Sequence, residues 1–193
     1  MHDNENENIH LLGISGSLRA KSTNRGMLQA ASELLPDGVT LEIFDLSEIP
    51  MFNQDLVTDG EPPAVSEFKL RITQSDALLI ATPEYNHSIP GVLKNAIDWA
   101  SRPYRRSPLN GKPLGIIGAA GGTGSVNAQE HLRQIADGLD MVVLEEPVIA
   151  IPRAREKFDE SGSLTDMRTR RQIEVYLAAL ADFVRSERLL EKV

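Results

Sequence analysis

The run Gly16-Ser17-Leu18-Arg19-Ala20-Lys21-Ser22-Thr23-Asn24 sets three hydroxyl side chains, an amide and a guanidinium between an apolar run and an amphipathic segment. Where a buried strand gives way to a helix, such residues make an anion site. Helix-terminal N–H groups and the hydroxyls of Ser17, Ser22 and Thr23 can donate to phosphate oxygens, and Arg19 adds a charged fork. The loop lacks the Gly-Lys-Ser/Thr ending of a triphosphate-binding loop and the three-glycine dinucleotide fingerprint, so a monophosphate fits better than either. The same residues also read as a capped turn with a solvated arginine, Asn24 being the cap, and spacing alone leaves both readings open.

Two further stretches carry unusual chemistry. Thr82-Pro83-Glu84-Tyr85-Asn86-His87-Ser88-Ile89-Pro90 gathers amide, hydroxyl and aromatic groups between prolines. A flat heterocycle could stack near Tyr85 while backbone groups and Asn86 meet its polar edge. The alternative is a rigid turn in which Tyr85 covers the core and Asn86 satisfies local backbone. Glu84 reads as solvated or paired with a base rather than as an acid. Ala119-Ala120-Gly121-Gly122-Thr123-Gly124-Ser125 leaves backbone open to the close approach of a ring, or simply closes a strand–helix junction flexibly. His2, His10, His87 and His131 show no liganding pattern, so no metal site is expected, and no catalytic triad emerges.

The elements that must position these loops follow from periodicity. Ile9 to Ile14 reads as a strand, and Met27, Leu28, Ala31, Leu34 and Leu35 mark one face of a helix from about Asn24 to Leu35. Pro36-Asp37-Gly38 stops it. Val39, Leu41 and Ile43 alternate as in a strand near a sheet edge, whereas Ala77 to Ala81 is continuously apolar, as in a strand covered on both faces. Between them lie a turn-rich loop and a helix from Ala64 to about Gln74. Further helices are expected over Gly91 to Ala100, through Leu132, Ile135, Ala136 and Leu139, and through Ile173, Leu177, Leu180 and Val184, with strands at Leu114 to Gly118 and Met141 to Leu144. Five strands alternating with helices imply a parallel α/β sheet between two helical layers. Each unusual loop follows a strand, so all three should meet at one edge of the sheet, beside a reversal of strand order.

Composition narrows the function classes. The 193 residues suit one domain, residues 9–193, behind a flexible polar tail over 1–8. A net charge of -8 argues against nucleic acid or an anionic membrane as partner. Cysteine is absent, which excludes disulfides, thiolate nucleophiles and iron–sulfur centres, so any redox chemistry rides on a bound cofactor. No stretch approaches the roughly 20 apolar residues of a membrane span, and the opening residues do not resemble an export signal. A cytoplasmic protein is expected.

At these loops the sequence resembles the NADPH-dependent FMN reductase family of flavodoxin-like proteins, which includes chromate and quinone reductases. The resemblance runs through GSLRAKSTN, PEYNHSIPGVLKNAIDWASRP, SPLNGKPLGIIGAAGGTGS and AQEHLR. It implies a three-layer flavodoxin-like fold with a five-stranded parallel sheet in the order 2-1-3-4-5. It implies that Ser17, Arg19, Ser22, Thr23 and Asn24 surround the FMN phosphate, that Pro83, Glu84, Tyr85, Asn86 and Ser88 wrap the flavin, and that Ala119, Ala120, Gly121 and Gly122 approach its far edge. Many relatives carry arginine where Asn127 stands, which puts in question any nucleotide or subunit contact made there. A homodimer or homotetramer is implied as well.

The implied reaction passes hydride from NADPH or NADH through FMN to a quinone, free flavin or similar small-molecule acceptor, the cofactor carrying the electron chemistry. The rival readings are a flavodoxin-like electron carrier that exchanges single electrons with proteins, and a module that binds FMN without turnover. Arg102, Arg105, Arg106 and Lys112 form a basic cluster expected near the same sheet edge, either attracting nucleotide phosphates or simply solvated.

Overall fold

A computed structural model describes residues 8–190, so the expected tail over 1–8 lies, but for Asn8, outside the described residues. The sheet contains β1 (Ile9–Ser15), β2 (Val39–Phe44), β3 (Ala77–Ala81), β4 (Pro113–Ala119), β5 (Val142–Val143) and β6 (Ile149–Ile151). All pairs are parallel, in the order β2-β1-β3-β4-β5, with β6 also pairing β4. The expected order holds, but the fifth position is shared by two short strands. Pro147 has no N–H to give a ladder, and the chain resumes pairing only at Ile149.

The period-two alternation of the strands divides the core between the two faces. Leu11, Leu79 and Ala81 point toward α1 (Thr23–Glu33) and α6 (Met167–Leu190), packing on Met27, Leu28, Ile173, Leu177 and Leu180. Leu12, Ile14, Leu78 and Ile80 point the other way. They meet Val65, Phe68 and Ile72 of α3 (Pro63–Gln74), Leu93, Ala96 and Trp99 of α4 (Gly91–Ala100), and Leu132 of α5 (Val126–Asp137). Each such buried Leu, Ile, Val, Phe or Met side chain contributes roughly 1.5–3 kcal/mol. β3 is buried at every position, as its unbroken apolar run requires, and β2 at the edge is half-buried.

The stretch expected as a loop before α3 holds a short helix, α2 (Gln54–Asp59). α4 anchors its approach: the Asn95 and Trp99 side chains donate to the Pro50 carbonyl at 2.9 and 2.8 Å, and the Phe52 N–H donates to Asn95 Oδ1 at 2.8 Å. No local sequence period announces such long-range anchors.

The basic cluster is also displaced from its expected place. Lys112 precedes β4, at the opposite end of the sheet from the loops after β1, β3 and β4, and its Nζ donates to the Ser75 carbonyl at 2.5 Å. Arg102 lies over the Phe52 ring and Arg105 over Tyr104.

Candidate functional site

Because α1 and α4 cover opposite faces of the sheet, the chain leaves the neighbouring strands β1 and β3 toward different sides, which opens a crevice at their C-terminal ends. A cleft of about 500 Å³ lies there, within the range of small-molecule sites. The loop after β1 supplies Ser17, Arg19, Ser22, Thr23 and Asn24 to its lining, the loop after β3 supplies Pro83, Glu84 and Tyr85, and the loop after β4 supplies Ala119 through Gly122. Asn86 and Ser88 stand outside that lining, and so do Arg102, Arg105, Arg106 and Lys112.

In the first loop, the Gly16 N–H donates to the Ala81 carbonyl at 2.9 Å, which fixes the loop to β3. The Ser22 N–H donates to the Arg19 carbonyl at 3.1 Å, closing a turn that brings the chain into α1. Ser22 is the N-cap, its hydroxyl accepting from the Arg25 N–H. The N–H groups of Thr23 and Asn24 have no hydrogen-bond partner among the described residues, so the first turn of α1 offers two free donors to the cleft. The exposed Arg19 guanidinium is likewise without a carboxylate partner among them.

Asn24 is not the cap that spacing allowed. Its side chain is 1% exposed, donates to the Ala119 carbonyl at 2.8 Å and accepts the Ala119 N–H at 2.9 Å. This two-point clamp joins α1 to the end of β4, so only the backbone of Asn24 remains available to a ligand. Sequence offered no signal for a partner 95 residues away.

In the second loop, Tyr85 and Ser88 exchange backbone hydrogen bonds at 3.0 and 3.1 Å around Asn86 and His87, whose φ values are 51° and 62°. Asn tolerates the left-handed region this two-residue turn demands. Asn86 is thus exposed at the tip, and the turn presents a half-exposed Tyr85 ring at the cleft. Ser88 Oγ lies 3.0 Å from His131 Nδ1 of α5.

Glu84 turns away from bulk water, its side chain only 11% exposed. One carboxylate oxygen accepts the Asn127 and Ala128 N–H groups at 2.9 and 3.3 Å, and the other accepts Asn127 Nδ2 at 2.9 Å. Ser125 makes no side-chain cap, so Glu84 caps α5 from another loop. Desolvation pushes its pKa up, but the hydrogen bonds from the Asn127 side chain and the two backbone N–H groups, with His87 beside it, outweigh that and hold the carboxyl below its ordinary value. Glu84 is therefore an ionised strut, and Asn127 binds it through both its backbone N–H and its side-chain amide.

The third loop leaves its backbone open: a Cβ built on Gly121 or Gly122 meets nothing within 4 Å. Gly118 is constrained in the opposite way, since its Cβ would fall 2.4 Å from the Thr82 carbonyl oxygen.

A fourth segment, not foreseen from sequence, completes the cleft: Arg153, Ala154, Arg155 and Glu156 follow β6. The Ala120 N–H donates to Ile151, while Arg153 and Ala154 donate to Gly121 and Ala120, all at 3.0–3.1 Å. The available signal was the apolar run Val148-Ile149-Ala150-Ile151 ended by Pro152, a strand whose C-terminal end must lie at the same edge.

Among the described residues no group of three or more His, Asp or Glu side chains could hold a metal ion, and no helix is long and apolar enough to cross a membrane. Comparison with known proteins matches residues 9–156 to the family model of NADPH-dependent FMN reductases. An NAD(P)H-dependent FMN reductase of Pseudomonas aeruginosa is 49% identical over 180 residues, covering 93% of this chain and 97% of its own length. A 2-hydroxy-1,4-benzoquinone reductase of Burkholderia sp. is 38% identical, covering 91% and 96%. The solved structure of FerB, a flavoenzyme NAD(P)H:(acceptor) oxidoreductase from Paracoccus denitrificans, superposes with a TM-score of 0.84 at 33% identity, covering 93% of this chain and 98% of its own.

Proposed function

This chain belongs to the NADPH-dependent FMN reductase family, and from that premise we propose which of its residues hold the cofactor and what each contributes. The protein is an FMN-dependent NAD(P)H oxidoreductase acting on quinone-like small-molecule acceptors. When bound in this cleft, FMN would supply the redox chemistry that links NADPH or NADH to the acceptor.

The cleft fits this group on two counts. The free N–H groups of Thr23 and Asn24 beside Arg19 form a phosphate site, and the open backbone at Gly121 and Gly122 leaves room for a flat ring. That pairing of a phosphate site with a side-chain-free wall in one cleft is the observation that carries the assignment. Ser17, Ser22 and Thr23 stand around the phosphate, and Asn24 contributes its N–H and holds the wall through Ala119. Pro83, Glu84 and Tyr85 form the second wall, with Asn86 and Ser88 contributing as the turn that carries Tyr85. Ala119 through Gly122 offer backbone to the ring's far edge. Glu84 stays ionised on the end of α5 and is not a proton source. No side chain acts as a nucleophile.

A single domain over residues 9–193, a cytoplasmic setting and a homodimer or homotetramer belong to the same proposal. Leu18 and Tyr85, in the loops after β1 and β3, and Val126, at the start of α5, are 52%, 46% and 52% exposed, which suits coverage by a second copy. Steady-state oxidation of NADPH by FMN-loaded protein with 1,4-benzoquinone, alongside sedimentation, tests the reading. Turnover that is lost on removing FMN and restored on adding it supports the cofactor's place. Turnover independent of FMN would overturn it, and a monomer at micromolar concentration would overturn the assembly.

A further inference from the structure

The cleft holds more guanidiniums than one phosphate requires: Arg19, Arg153 and Arg155 line it, against the carboxylates of Glu84, which is turned onto the start of α5, and Glu156. Arg19 and the first turn of α1 would suffice for one phosphate dianion, yet Arg153 and Arg155 also line the same cleft, both exposed. Arg155 has no carboxylate partner among the described residues, and Arg153 has only Glu156 at 3.6 Å, between side chains 71% and 63% exposed. In a protein of net charge -8, most arginines elsewhere in the fold lie against a carboxylate.

The backbone holds this pair in place. Arg153 adopts φ 50°, a left-handed conformation that costs a non-glycine residue about 1 kcal/mol or more, and keeps it while donating its N–H to the Gly121 carbonyl at 3.1 Å. The Ala154 N–H donates to Ala120 at 3.0 Å and the Ala154 side chain is buried, so the turn is pinned between its two arginines. The guanidiniums are thus carried on the segment stitched to the glycine wall, whereas Arg19 stands on the loop after β1.

We propose that Arg153 and Arg155 bind the phosphates of the nicotinamide nucleotide as it presents its hydride. The inference rests on the FMN assignment: FMN brings one phosphate, so a second anion must arrive on the diffusible partner. A nucleotide with a pyrophosphate, and in NADPH a 2′-phosphate, matches two forked cations spaced two residues apart.

The test uses FMN-loaded wild type and the Arg153→Gln/Arg155→Gln variant, with melting temperature as the check on folding. The dissociation constant for NADP⁺ is read by calorimetry at two salt concentrations, and FMN affinity is measured separately. The expected result is that NADP⁺ binding weakens roughly tenfold or more and loses much of its salt dependence, while FMN affinity stays within about twofold. Unchanged NADP⁺ affinity would overturn the proposal. A parallel fall in FMN affinity would also overturn it and assign the pair to the resident phosphate. If NADP⁺ binding is unchanged but KM rises for a sulfonated quinone and not for 1,4-benzoquinone, the anion belongs to the acceptor and the nucleotide assignment is refuted. Failure of the wild type to retain FMN would instead count against the cofactor assignment itself, a separate outcome.

Discussion

Replacing Asn24 by Ala removes a clamp whose cost follows from its geometry. Ala119 loses partners at 2.9 and 2.8 Å for its N–H and C=O, and Asn24 and Ala119 are each 1% exposed. A buried polar group left unmet costs about 1–3 kcal/mol, so the two together cost roughly 2–6 kcal/mol. The adjoining cleft lets water reach the gap after modest relaxation, which favours the lower half of that range, about 3 kcal/mol. At about 2–4 °C per kcal/mol for a chain of this size, the melting temperature should fall by about 6–12 °C. Scanning calorimetry on FMN-free protein measures this without ligand stabilisation entering the comparison. Asn24→Asp supplies the control: at neutral pH it sets a carboxylate oxygen against the Ala119 carbonyl and should cost at least as much, and its deficit relative to Asn24→Ala should shrink in acid as the carboxyl becomes a donor. FMN affinity in refolded Asn24→Ala should fall less than in Arg19→Ala. A melting temperature within about 2 °C of wild type, with a tenfold loss of FMN affinity, would refute the clamp and make the side chain a phosphate ligand.

Arg19→Ala should weaken FMN binding about tenfold, allowing for solvent exposure of the guanidinium, while leaving hydride transfer in the FMN-saturated enzyme nearly unchanged; fluorescence titration and single-turnover rates separate the two. Glu84→Gln removes the charge from the α5 cap and should cost about 1 kcal/mol at pH 7. Because the folded pKa is depressed, that stabilisation is present above the ordinary carboxylate pKa and is lost as pH falls through the lower folded value, so urea melts should show the gap between wild type and Glu84→Gln closing below about pH 4.5. A gap that widens in acid would contradict the cap. Gly118→Ala drives a Cβ to 2.4 Å from the Thr82 backbone oxygen and should cost at least about 2 kcal/mol, whereas Gly122→Ala, with open space around it, should leave stability nearly unchanged but hinder FMN binding.

What could be read in the sequence had local causes. Ala77 to Ala81 announced a central strand because both of its faces are covered, and the three loops could be assigned to one sheet edge because parallel strands put all their C-terminal ends together. The hydroxyl and guanidinium content of residues 17–24 suggested an anion site because helix starts leave N–H groups unmet, and the structure brings Ser17, Arg19, Ser22, Thr23 and Asn24 to the cleft lining. What stayed hidden had distant causes. Asn24 finds Ala119, and Glu84 finds Asn127 and Ala128, across separations of 43 to 95 residues that no period encodes. β6 was missed because three residues after a proline make too short a run to stand out, and with it went Arg153 and Arg155. The basic cluster after α4 was misplaced because its charges are conspicuous in sequence, while their position depends on α4 running back toward the start of β4.

The most direct test of the central claim is to mix FMN-loaded protein with NADPH, and separately NADH, without oxygen, and to follow the visible absorbance of the flavin. Rapid bleaching by two electrons, reversed by adding a quinone, is the predicted result. Failure of both donors to bleach a flavin that is fully bound and chemically reducible would contradict it, leaving a protein that holds FMN without using it as an NAD(P)H oxidoreductase.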